Sequence, residues 1–291
     1  MHSLSESTRG RLFVVAAALL WSSNGLFVKS PIFESWPQEH RGLLLAMWRA
    51  FFAAVCLLPL VRRAGFSLRM VPMALAFFGM SLSFMQSMVW TTAANAIWLQ
   101  NIAPAWVCLF TWMAGEKFDR RDLVMLGFAM CGVGTILAGE LATTDWNDSS
   151  LWGVMLGLLS GLFYALIIHF LRRLRDFDSG WLIVVNLATS ALLLSPVSPM
   201  LGVWPVGNQW LVLLAFGALQ LGLAYFCFAR GLKKISSQEG AGIGLLEPVM
   251  VPIWVWLRYG EVPARWTIAG GALILVGLVW RYLPWRRNSK G

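Results

Sequence analysis

Gly240-Ala-Gly-Ile-Gly-Leu-Leu-Glu247-Pro248-Val-Met-Val-Pro252 is the stretch around which the chain is organised. It sets small residues, one carboxylate and two prolines inside an apolar run, and Gly260-Glu261 closes it. The first half holds an echo, Gln100-Asn101-Ile-Ala-Pro104 followed by Gly115-Glu116. The Gly-Glu pair begins eleven residues after Pro104 and twelve after Pro248, so the spacing predicts an internal duplication. Pro248 removes a backbone donor and crowds the carbonyl of Gly244, and Pro252 does the same to Pro248. Glycines at 240, 242 and 244 weaken the helix further. A helix interrupted in this way exposes carbonyls, tolerated at membrane depth only where protein or a water-filled cavity satisfies them. Pro104, Gly244, Pro248 and Pro252 are therefore the expected helix-breaking positions.

Working outward, the whole chain is as oily as this stretch. Of 291 residues 58% are hydrophobic and 13% charged, and the mean hydropathy is +0.67, which excludes an ordinary soluble domain. Apolar runs of about 20 residues, the length that crosses a bilayer as helix, lie at about 11–28, 42–61, 71–92, 95–114, 122–139, 151–171, 181–200, 209–229, 239–257 and 264–283. The expected fold is thus an all-α polytopic membrane protein of ten transmembrane helices. The first run follows Arg9 and Arg11 but contains Ser22-Ser23-Asn24 and no evident cleavage site, so it reads as a span and not as a secretory signal. The segment Glu140 to Ser150 reads as an acidic loop with a chance Asn147-Asp-Ser149 triplet. Four cysteines, Cys56, Cys108, Cys131 and Cys227, lie inside spans without ligand spacing, so no metal and no cofactor is expected.

The net charge of +9 resolves into a topology signal once it is divided by loop. Arg9 and Arg11, Arg62, Arg63 and Arg69, Lys117, Arg120 and Arg121, Arg172, Arg173 and Arg175, Arg230, Lys233 and Lys234, and Arg281, Arg286, Arg287 and Lys290 give eighteen on one side. Lys29, Arg41, Arg258 and Arg265 give four on the other, with Arg49 left inside a span. Positive charge stays inside, so both termini are expected in the cytoplasm, and a nucleic-acid partner is not. Absence of organelle signals and of long loops favours a bacterial inner membrane.

An odd number of crossings per copy forces two copies into opposite orientations, the arrangement of many transporters, with the substrate site near the midplane. Trp21 and Asn24 share a helix face and align with Phe163-Tyr164 at a shift of 143. Arg49 either snorkels or lines a wet cavity. Gln86 with Trp90, and Trp98 with Asn101, fall at helical spacing; the tryptophans serve equally well as interfacial anchors, the amides have little reason to face lipid. Tyr164, Gln220 and Tyr225 complete the cavity residues. His169 is a structural hydrogen-bonder or a proton carrier. Glu247 falls near the midplane, where a carboxylate is costly enough to imply function, and it stands with His169 as a proton-coupling group.

The two Pro…Gly-Glu blocks, the Leu20-Trp-Ser-Ser-Asn24 start, Trp48-Arg49-Ala-Phe-Phe-Ala53 and Leu246-Glu247-Pro248-Val resemble the EamA-type permeases of the drug/metabolite transporter superfamily. Within that superfamily the chain looks most like the YddG-type aromatic amino-acid exporters. The resemblance covers nearly the whole chain. It implies two inverted five-helix repeats, at 1–146 and 147–291, with a central cavity from helices 1–4 and 6–9 and with helices 5 and 10 outside it. It also implies export of small metabolites, with the lipid bilayer and a small-molecule substrate as partners and a homodimer left open. Arg49 and Glu247 would accept the two ends of a zwitterion, which favours an amino acid as substrate. A carrier of nucleotide-type compounds should need several cavity cations, and a membrane enzyme should show a catalytic cluster; neither appears, though drug-like substrates stay open.

Overall fold

The computed structural model describes residues 5–115, 119–143 and 148–282, apart from the side chains of Ser237 and Gln238. Glu116, Lys117, Asn147 and the C-terminal Arg286, Arg287 and Lys290 lie outside them. The secondary structure of the described residues is helical: α1 (Glu6–Ser22), α2 (Asn24–Val28), α3 (Gln38–Leu57), α4 (Met70–Trp90), α5 (Ala93–Gln100), α6 (Ala103–Met113), α7 (Arg120–Thr143), α8 (Ser149–Arg173), α9 (Ser179–Leu194), α10 (Val197–Leu201), α11 (Gln209–Ala215), α12 (Ala224–Gly231), α13 (Ser237–Gly244), α14 (Leu246–Tyr259) and α15 (Arg265–Tyr282). A π-helical stretch, Phe216–Leu223, joins α11 to α12.

By length and composition, eight helical segments among the described residues are able to cross a membrane, against ten spans expected. The fourth expected span is interrupted, because Asn101 and Ile102 separate α5 from α6, which have 8 and 11 residues. The tenth, α15, has 18 residues with Arg265 at its start and Arg281 near its end, which dilutes its apolar character. The segment expected as an acidic loop from Glu140 is mostly helix: α7 runs on to Thr143, which buries Glu140, and α8 begins at Ser149.

Helix α4 packs on α8, α3 on α9, α1 on α12, and α7 on α15. Leu44, Leu45, Met85, Met88, Ile97, Leu99 and Val251 form the buried centre. Large apolar side chains such as Leu12, Met130, Leu192, Leu211 and Leu257 point outward, as lipid requires. Two places show the duplicated chemistry. Thr92 caps α5 by accepting the Asn95 amide, and Ser236 caps α13 by accepting the Glu239 amide. The same 144-residue offset that relates these caps relates Pro104 to Pro248. Both interruptions sit just ahead of that proline, at Ile102 (φ −75°, ψ −4°) and Leu245 (φ −64°, ψ −9°).

Candidate functional site

Side chains from four helices converge on one region. Arg49 of α3 lies within electrostatic reach of Tyr225 of α12 and Glu247 of α14, and Tyr164 of α8 lies within reach of the same two. Tyr164 is 41% exposed although protein surrounds it, and Glu247 is likewise part-exposed deep in the bundle. Accessible atoms at such depth make Tyr164 and Glu247 candidates for lining an internal opening.

Arg49 itself is 4% exposed. Its Nη2 donates to Ser81 Oγ at 3.2 Å, and its guanidinium carbon lies 5.2 Å from the centroid of the Phe216 ring. Among the described residues its buried Nε has no hydrogen-bond partner. A guanidinium carries five N–H donors, so this one retains capacity for an anion. Phe216 stacks on Phe27 at 4.8 Å with planes 9° apart, which fixes the face Arg49 meets. Gly217 permits this approach: a Cβ there would lie 2.7 Å from the Arg49 carbonyl and 2.9 Å from the Ala53 nitrogen. The π-helical stretch that carries Phe216 and Gln220 is a kind of distortion often found at functional sites.

The end of α1 forms one wall. Ser22 and Ser23 hydroxyls donate back to the carbonyls of Leu19 and Leu20, a pattern that bends helices, and α1 stops there. Gln220 Nε2 donates to the Trp21 carbonyl at 3.1 Å, while its Oε1 is buried without a partner. Trp21 meets Tyr225 edge-on at 5.4 Å. Asn24 is buried with an unpartnered Oδ1, and Trp254 Nε1 donates to Ser22 Oγ at 3.0 Å.

The remaining sequence-predicted residues lie in packed interfaces. Gln86 accepts the Gly42 amide at 3.0 Å and donates to the Gln38 carbonyl at 3.1 Å, stapling α4 to the start of α3. Trp90 ends α4 against Gly153. Asn101 donates to the Ile97 carbonyl at 2.9 Å, closing the last turn of α5, and Gly161 packs over the carbonyls of Leu99 and Gln100, the latter orphaned by Pro104. Trp98, packed on Gly271, donates its indole N–H to the Pro248 carbonyl at 2.8 Å. That carbonyl is the one Pro252, which lacks an N–H, leaves without an intrahelical donor. Gly244 ends α13 and Leu245 breaks the helix, so Pro248 falls in the first turn of α14, where a missing donor costs little. His169 lies apart from the Arg49–Glu247 cluster, edge-on to Phe170 and near Arg172 and Arg173.

Sequence reasoning did not find Ser81, Phe27, Phe216 or the ion pair of Lys29 with Glu261. Glu261 Oε2 lies 2.8 Å from Lys29 Nζ, and Oε1 accepts the Ala93 amide at 2.7 Å, so the second Gly-Glu block caps α5 of the first half. Serine and phenylalanine inside apolar helices carry no sequence signal. The Gly-Glu block did, but not its destination.

A bundle with eight helices long and apolar enough to cross a membrane among the described residues is that of a multi-pass membrane protein. Residues 8–138 and 151–283 match the EamA-like transporter family, and the chain belongs to that family. It is 25% identical over 280 residues to an uncharacterized transporter of Archaeoglobus fulgidus, covering 95% of this chain and 96% of that one. It is 28% identical over 244 residues to the pseudopaline exporter CntI of Pseudomonas aeruginosa, covering 81% and 84% respectively. A solved crystal structure shares the fold with a TM-score of 0.65 at 19% identity, over 94% of this chain and 96% of its own.

Proposed function

We propose that the chain is a secondary transporter exporting amino-acid-type metabolites by alternating access. In this reading ten crossings form two inverted five-helix repeats, at 1–146 and 147–291, in a bacterial inner membrane with both termini in the cytoplasm. The observation that carries it is Arg49 and Glu247, one from each half, within electrostatic reach of each other. A carboxylate on the spare donors of Arg49 and an ammonium at Glu247 satisfy both costly buried charges, and Trp21 and Tyr225 offer aromatic faces. Similarity to a protein named as an exporter supports the direction.

The test is efflux of radiolabelled tryptophan, phenylalanine, alanine and glutamate from loaded proteoliposomes. The parent moves at least one of them faster than empty vesicles, Arg49→Lys keeps part of that rate, and Arg49→Gln loses it. Trp21→Ala weakens aromatic solutes more than alanine. Efflux equal to empty vesicles for all four sinks the amino-acid reading. Orientation is read separately, from single cysteines in a background without the native four. Those in loops 61–69 and 232–236 resist an impermeant thiol reagent applied outside, and one at 204–208 reacts.

A further inference from the structure

A second cleft, of about 390 Å³, lies at the basic end of the molecule, apart from the Arg49 region. The end of α3 with the turn after it, the start of α9 and the last turns of α12 enclose it. Three cations line it, Arg62, Arg230 and Lys233, with one carboxylate, Asp178. Asp178 Oδ1 accepts the Trp181 amide at 3.0 Å, so it is engaged in capping α9. Among the described residues none of the three cations pairs with a carboxylate. The Arg230 guanidinium carbon lies 4.6 Å from the centroid of the Phe226 ring, a contact that leaves its N–H groups without a carboxylate partner among the described residues. Ser179 and Gly180, at the start of the 16-residue α9, line the same space and add the positive end of a helix dipole.

A general excess of basic residues at this end accounts for Arg63 or Arg172, but not for three cations drawn from the last turn of α12 and two separate connections onto one concave surface. The inner wall supplies the reason. It is Tyr225, the residue within reach of both Arg49 and Glu247. The cleft therefore shares Tyr225 with the central site.

We infer that this cleft is a capture subsite for a carboxylate or phosphate group. It takes the anionic end of a soluble solute before the solute passes Tyr225 to Arg49; the onward passage rests on the transport reading above. The site selects acids and amino-acid-derived anions and repels organic cations, by the electrostatic focusing that charged clefts exert.

A phospholipid headgroup offers the same chemistry, and the experiment separates the two sources. Ser179→Cys is placed in the full chain without its native cysteines, in phosphatidylcholine nanodiscs. Reaction with an anionic sulfonate methanethiosulfonate is compared with its cationic trimethylammonium analogue, each relative to free cysteine. The expected anion preference is about tenfold. It collapses when Arg62→Gln and Lys233→Gln are added, and glutamate or inorganic phosphate slows the anionic reagent. Loss of the preference in phosphatidylglycerol nanodiscs without added solute assigns the site to a headgroup and overturns the solute source. A preference that is absent, or untouched by the double substitution, overturns the subsite. In efflux from the basic side, the double substitution raises the half-saturating concentration of glutamate more than it lowers the maximal rate. A protein with the anion preference that moves no solute leaves the subsite standing and sinks the transport reading.

Discussion

The interrupted helices α5–α6 and α13–α14 have the same plan: a hydroxyl cap, eight residues, a break and a proline. Their surroundings differ. Every residue of α5 is buried, Trp98 seals it against Gly271, and Gly161 covers its terminal carbonyls. Helix α13 is mostly part-exposed, and a cleft of about 740 Å³ runs beside it, bounded by Arg11, Val15, Leu245 and Tyr282. At the 144-residue offset, Ala103, with 0% exposure, corresponds to Glu247, which is part-exposed. One copy of the motif has become scaffold and the other carries the charge. Duplication supplied two breaks, and packing sealed one of them.

The most severe test exchanges that chemistry. Ala103→Glu places a carboxylate in a sealed site, where an unpaired buried charge costs several kcal/mol, so folded yield is lost. Glu247→Ala creates no such burial; the protein is obtained in normal yield, and amino-acid efflux falls at least about tenfold, since a 1.4 kcal/mol loss of binding already has that effect. Normal folding of the Ala103 variant, or unchanged efflux of the Glu247 variant, removes the distinction between the two breaks.

A smaller effect probes how the halves are joined. Trp98→Phe deletes the donor to the Pro248 carbonyl and lowers stability by about 0.5–1.5 kcal/mol, read as a shift in thermal unfolding. Pro252→Ala restores an intrahelical N–H to that carbonyl, so Trp98→Phe costs less in that background. Equal costs in both backgrounds mean that the tryptophan contributes only by filling space. Glu261→Gln weakens both the Lys29 pair and the cap on α5, with an expected cost of about 1 kcal/mol. Lys29 Nζ also donates to the Thr91 carbonyl at 2.8 Å, so Lys29→Met in the Glu261→Gln background costs that bond alone and less than it costs in the parent; equal costs in both backgrounds break the link.

The smallest effects come from the caps. Thr92→Ala loses about 1 kcal/mol, because the α5 start it serves is enclosed, and Ser236→Ala only a few tenths, because water replaces the hydroxyl at an exposed end. Equal losses show that burial does not distinguish the two copies.

The sequence by itself determined the membrane class and the duplication, and it set Pro104 and Pro248 beside breaks, whereas Pro252, also expected to break a helix, lies inside α14. These follow from local chemistry, namely runs of apolar side chains and prolines without donors. It also marked Arg49 and Glu247, because charge at membrane depth is conspicuous in any order of helices. Only the tertiary structure decided that Gln86 staples α4 to α3, that Trp98 answers the carbonyl orphaned by Pro252, and that Glu261 closes on Lys29 and α5. Spacing along one helix assigns two residues to the same face and says nothing about what that face meets. Gln86 had the stronger claim in the sequence and Tyr164 the weaker. Gln86 is spent on backbone groups of a neighbouring helix and Tyr164 stays 41% exposed, because hydrogen-bond partners and accessible space are properties of the assembled bundle.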